Sequence, residues 1–144
     1  VLYLSRYINQ HKPSYYSLLQ STRDTNDWEA WLLFMLEAVE KTSQQTTVLI
    51  KQIRDLMQHH KIALRDKLPK IYSQDLINNM FCHPYTKIDF VANELQVSRQ
   101  TAARYLDELV SIGLLSKHKL GKENYYLNDD LFQLLSAVGQ KNLV

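Results

Sequence analysis

The first 112 residues of this 144-residue chain contain no glycine. Its three glycines, Gly113, Gly121 and Gly139, all fall near the end. Glycine supplies left-handed turns at no steric cost. A long run without it, interrupted only by Pro13, Pro69 and Pro84, favours helices joined by polar turns. The spacing therefore predicts a mainly α chain with a small glycine-bearing unit at its end.

Val1–Gln10 carries Leu2, Leu4, Tyr7 and Ile8 at helical positions. Pro13 suits the first turn of a second helix, which takes Tyr15, Tyr16, Leu18 and Leu19 and ends near Ser21. Thr22–Thr25 is expected as a polar turn. Asn26 with Glu29 three residues later has the spacing of a capping box, and Asp27 adds a favourable charge. Trp28, Trp31, Leu32, Met35, Leu36 and Val39 then make one apolar stripe. The stripe, with its two tryptophans, is expected to anchor against neighbouring helices. Lys41–Thr47 is polar and partly β-branched, and is expected to break the helix. The apolar pattern resumes at Val48, Ile53, Leu56, Met57 and Leu64 and runs to about Lys67, where Pro69 stops it. Two helices are expected over 26–68, because about 40 residues exceeds the usual helix length. Leu68-Pro69-Lys70 is the expected boundary between a helical segment (1–68) and a second unit (69–144).

In the second unit, Lys70–Phe81 is expected as a helix that buries Ile71, Leu76, Ile77 and Met80. Cys82-His83-Pro84-Tyr85 breaks it. Thr86 is placed to cap a helix over Lys87–Leu95, which buries Ile88, Val91, Ala92 and Leu95. Gln96 and Val97 make a short turn. Ser98 caps the following helix, whose inward stripe is Ala102, Leu106, Leu109 and Val110, and Gly113 ends it in a left-handed residue. Small Ala102 and Ala103 allow the preceding helix to approach closely, as in a helix-turn-helix. Leu114–Lys117 reads as a strand, Gly121 as the turn and Asn124–Leu127 as the returning strand. Asn128-Asp129-Asp130 starts a last helix, Leu131–Val138. A helix-turn-helix followed by a hairpin is a winged helix, and the run Val97-Ser98-Arg99-Gln100-Thr101-Ala102-Ala103-Arg104-Tyr105-Leu106 resembles winged-helix DNA-binding domains. The expected fold class is thus mainly α: a helical N-terminal segment followed by a winged helix-turn-helix domain with a small β-hairpin.

For DNA binding, geometry selects the outward face at the start of the helix after Ser98. Arg99 and Arg104 suit guanine edges or phosphates, and Gln100 suits adenine. Lys117, Lys119 and Lys122, with His118, cluster on the wing and suit phosphates. The charge balance pulls the other way. The chain carries a net charge of only +2. Between Cys82 and Asn128 six Lys or Arg residues face five acids, and Asp107 and Glu108 would repel a phosphate backbone they faced. Duplex DNA and a protein partner both remain open.

Other classes find less support. His11, His59, His60, His83 and His118 lack metal-ligand spacing, and His59 and His60 point to different helix faces. No glycine precedes residue 113 to build a phosphate loop, and no Ser/His/Asp arrangement is legible, so no catalytic or metal-binding residue is expected. No run approaches about 18 uncharged apolar residues, and Val1–Arg6 lacks the pattern of a signal peptide, so no membrane partner is expected. Cys82 is the only cysteine. It fits a reducing cytoplasm and is expected as a small core hydrophobe. A start at Val1, inside an apolar helical pattern, is expected of a piece of a longer protein.

Tyr3–Thr42 resembles the segment that follows the active-site helix in Fic-family proteins. The resemblance rests on Tyr3-Leu4-Ser5-Arg6-Tyr7-Ile8, on Tyr15-Tyr16-Ser17-Leu18-Leu19 and on Trp28-Glu29-Ala30-Trp31-Leu32-Leu33-Phe34-Met35-Leu36. Many bacterial members carry a winged helix after these helices, so the resemblance extends over nearly the whole chain. It implies a parent that transfers AMP from ATP, with magnesium, to hydroxyl side chains of a protein target. The family's loop has the form H-x-F-x-[D/E]-G-N-G-R-x-x-R, in which the histidine is the base and the amides and arginine hold phosphate. This chain has no such loop. His83-Pro84-Tyr85-Thr86-Lys87 mimics its start, but Ile88-Asp89-Phe90-Val91 follows where the glycines and arginine belong, so His83 is not catalytic. These residues are therefore expected to form a non-catalytic C-terminal portion, with no cofactor of their own. The alternative is a stand-alone winged-helix transcription regulator whose N-terminal helices dimerise or sense, which makes a homodimer a further candidate partner.

Overall fold

A computed structural model describes residues 3–140. Val1 and Leu2, assigned above to the first helix, lie outside them. The elements in chain order are α1 (Leu4–Gln10), α2 (Lys12–Thr25), α3 (Glu29–Lys67), α4 (Gln74–Cys82), β1 (Tyr85–Thr86), α5 (Ile88–Leu95), α6 (Arg99–Ser111), β2 (Ser116–Leu120), β3 (Glu123–Leu127) and α7 (Asp129–Gln140). The protein is mainly helical with a small antiparallel sheet. Two compact units divide between Lys51 and Gln52, inside α3.

In the first unit, Pro13 lies in the first turn of α2 as expected. The helix runs through Thr22–Thr25 instead of turning there. Thr22 is buried, and its hydroxyl donates to the Leu18 carbonyl at 2.9 Å. Asn26 does not cap α3. It ends α2 in the left-handed region at φ +56° and donates its N–H to the Thr22 carbonyl, a conformation asparagine tolerates better than most residues. The start of α3 is held by Asp27, whose carboxylate accepts from the Glu29 N–H at 3.0 Å. The expected break at Lys41–Thr47 is absent, and α3 is one helix of 39 residues. Ser43 and Thr46 donate to the Glu40 and Thr42 carbonyls, each at 2.8 Å, so their hydroxyls are satisfied within the helix. The stripe on α3 is only partly covered. Ala38 and Thr42 are buried, but Trp28, Leu32, Leu36 and Val39 on the adjacent face are exposed. Phe34 packs against Tyr7 and Tyr15, with ring centroids 5.6 and 6.1 Å away.

The second unit takes the end of α3 into its core. Leu64 is fully buried with Leu76, Ile77 and Met80 of α4, Val91 of α5, Leu106 and Leu109 of α6 and Tyr126 of β3. α3 itself stops just before Leu68-Pro69-Lys70, while the packing boundary lies further upstream. α4 starts later than expected, at Gln74, because Ser73 is its cap and accepts from the Leu76 N–H at 3.1 Å.

α5 and α6 pack closely through Ala92 and Ala102. Gln96 ends α5 in the left-handed region, and Ser98 caps α6 by accepting from the Thr101 N–H at 3.1 Å. Gly113, at φ +78°, ends α6. The Leu114 N–H then reaches back to the Leu109 carbonyl and the Gly113 N–H to that of Val110. That double bond pattern satisfies carbonyls the helix end would otherwise leave open.

β2 and β3 pair as a hairpin, with Leu120 opposite Glu123 across Gly121-Lys122. Gly121, at φ +62°, supplies the positive φ that the first position of such a two-residue loop needs. The sheet has a third strand not foreseen from sequence. β1 pairs with β3, giving the order β1-β3-β2. Thr86 therefore sits in a strand and does not cap α5, whose N-cap position is Lys87. Asn128 is buried and ties this corner together. It donates its N–H to the Pro84 carbonyl and its side-chain amide to that of Met80, and it caps α7 by accepting from the Leu131 N–H at 3.1 Å.

Candidate functional site

Capping by Ser98 leaves the start of α6 solvent-facing, and Arg99, Gln100 and Arg104 are all exposed there. Two of these are ion-paired. Arg99 Nη1 contacts the Asp89 carboxylate of α5. Arg104 Nε lies 3.7 Å from Glu108 Oε1, one turn along the same helix. Lys117 of β2 turns onto α6, and its Nζ is 2.8 Å from Asp107 Oδ1. The Tyr126 hydroxyl donates to the same oxygen at 3.2 Å. The hydrogen bond to Asp107 holds the Lys117 ammonium above its ordinary pKa, and burial pushes the Tyr126 phenol up.

At the other end of the hairpin, Lys87 and Glu123 meet at 2.6 Å. Lys87 also sits 4.4 Å from the Tyr125 ring centroid. The hydrogen bond to Glu123 raises the lysine's pKa, and the same bond lowers that of the carboxylate. This pair was not visible in sequence, since its members are 36 residues apart. Lys119 and Lys122, both exposed on the hairpin, have no carboxylate partner among the described residues. Of the six residues expected to meet DNA, then, α6 and the hairpin present all six at the surface. Three of the five cations among them are neutralised by carboxylates of the same fold.

The remaining titratable groups do not gather. No three or more His, Cys, Asp or Glu side chains stand where they would hold a metal, among the described residues. His59 is exposed, whereas His60 is fully buried with Nε2 3.4 Å from Asp130 Oδ2. Cys82 is exposed, not a core residue. It sits at the end of α4, where the chain leaves the helix for β1. Beside it a cleft of about 430 Å³ opens between α4, β1 and α5, lined by Asn79, Tyr85, Thr86, Phe90 and Glu94 among others. No sequence motif marked this cleft, because β1 exists only through pairing with β3. No helix among the described residues is long and apolar enough to cross a membrane.

The model for the C-terminal domain of SoFic-like protein adenylyltransferases matches residues 56–131, more than half of the chain. The chain belongs to that family. The matched residues of this SoFic-like domain run from the end of α3 to the start of α7. They include every element of the second unit's core, the α6 face and the cleft.

Proposed function

We propose that this chain is a non-catalytic C-terminal part of a protein adenylyltransferase, and that its second unit is a winged helix serving as a protein-contact module. The observation that carries the second half is the pairing of Arg99, Arg104 and Lys117 with Asp89, Glu108 and Asp107. Exposed pairs of this kind add little stability. Their effect is on the field, since a carboxylate a few ångströms from each cation would also lie beside any phosphate that cation met. A neutralised, mixed-charge face suits a polar protein surface better than a uniformly negative duplex.

The residues present do not fit ATP. His83 lies between α4 and β1, and residues 84–91 after it contain neither a glycine to let backbone N–H groups close on phosphates nor an arginine to hold them. No step of AMP transfer is therefore routed through this chain, and the catalytic loop, ATP and magnesium belong to another part of the whole protein. Incubating the purified chain with labelled ATP, magnesium and candidate protein acceptors should transfer no label, and labelling of the chain or an acceptor would refute this. One observation favours a second reading, duplex DNA binding by α6 and the hairpin: Lys119 and Lys122 lack carboxylate partners among the described residues.

A further inference from the structure

Four of the five carboxylates between Cys82 and Asn128 are ion-paired within the fold: Asp89, Asp107, Glu108 and Glu123. Glu94 is the fifth, and among the described residues no cation reaches it. Its carboxylate is nevertheless held in place. The Thr86 hydroxyl donates to Asn79 Oδ1 at 2.7 Å, and Asn79 Nδ2 donates to Glu94 Oε2 at 2.8 Å. Thr86 and Asn79 are 2% and 5% exposed. The hydroxyl fixes which way the amide faces, and the amide fixes the carboxylate. Two buried polar side chains thus aim one unpaired acid into the cleft between α4, β1 and α5.

The walls of that cleft have a matching character. Tyr85 and Phe90 line it and are 39% and 40% exposed, so their rings are open to a ligand. Their ring centroids are 6.4 Å apart. Aromatic faces beside an unpaired carboxylate suit a guanidinium, which is weakly hydrated, stacks on rings and offers a carboxylate two parallel N–H donors. The cleft is also bounded by β1, an edge strand of the sheet, and an edge strand is a template for an extended polypeptide.

We propose that this cleft binds an arginine side chain of a polypeptide partner, with the guanidinium against Tyr85 and Phe90 and paired to Glu94. The proposal deepens the protein-contact reading and rests on it.

The test is a titration of the ¹⁵N-labelled chain, followed by NMR, with acetyl-Gly-Arg-Gly-amide and with its uncharged citrulline counterpart. The arginine peptide should give saturable shifts at the Asn79 side-chain amide and the Phe90 backbone amide, with a Kd of about 1 mM, as befits one side chain. Citrulline should bind at least tenfold more weakly, and Glu94→Gln, an exposed substitution that keeps an acceptor for Asn79, should weaken the arginine peptide by as much. Phe90→Ala should weaken it several-fold. No saturable shift, equal binding of citrulline, or shifts confined to the backbone amides of Asp107 and Glu108 on α6 would overturn the cleft assignment. Salt-sensitive duplex binding, which would register on α6 and the hairpin rather than at Asn79, would instead overturn the protein-contact reading.

Discussion

Lys117 Nζ stands 2.8 Å from Asp107 Oδ1, and that contact joins the first strand of the hairpin to the middle of α6. Both side chains are more than a third exposed, at 39% and 54%, so its worth is that of a surface pair, about 0.5–1 kcal/mol with the Tyr126 hydroxyl included. Asp107→Asn should lower stability by that amount in urea unfolding at pH 7. Because the folded state raises the Lys117 pKa, the contribution is complete below the unfolded lysine value of about 10.4 and is lost as pH rises through the higher folded value. The deficit of the variant should therefore shrink in strongly alkaline buffer.

His60 gives the opposite dependence, on the acid side. Burial holds its imidazole below its ordinary pKa, against an opposing pull from Asp130 and with a further push down from His59. The unfolded chain then takes up a proton that the folded chain resists, so stability falls as pH drops below about 6.5 towards the folded value. His60→Leu should flatten the pH dependence of the unfolding midpoint across that window. An unchanged slope would show that His60 is not its source.

Two local devices hold α6, and each can be removed singly. Ser98→Ala deletes the side-chain acceptor for the Thr101 N–H and should cost about 1 kcal/mol. Gly113→Ala forces a Cβ into φ +78°, where the added atom meets nothing within 4 Å. Its cost is backbone strain alone, about 1–2 kcal/mol. Chemical denaturation of each variant measures both, and the losses should add, since the sites lie at opposite ends of the helix.

Those two devices were legible in the sequence because their chemistry is local. A serine three residues before a backbone N–H, or a glycine after an apolar stripe, acts on the nearest turn whatever the rest of the chain does. The same holds for Gly121 and for Asn128 as caps and turns. What misled was chemistry with two uses. Asn26 suits an N-cap and a left-handed helix end equally, and here it ends α2. Ser43 and Thr46 read as helix breakers, yet they bond back to their own helix and α3 continues. Non-local features left no local trace. β1 is two residues long and depends on β3 some 40 residues away. The ion pairs that neutralise Arg99 and Lys117, and the relay from Thr86 to Glu94, likewise join elements whose proximity only the fold creates. The charge count had hinted at the first of these. Nothing hinted at the second.

The α6 face, its cations matched by carboxylates, is proposed to contact protein and not to read DNA. The direct measurement is fluorescence anisotropy of a labelled duplex titrated with the chain over a range of salt concentrations. The account predicts binding no tighter than about 10⁻⁴ M, the weak end of the non-specific range, with little further loss on Arg104→Ala. Binding at micromolar concentrations or tighter that falls steeply with log salt, and is weakened by Arg104→Ala by roughly 1–3 kcal/mol, would contradict it.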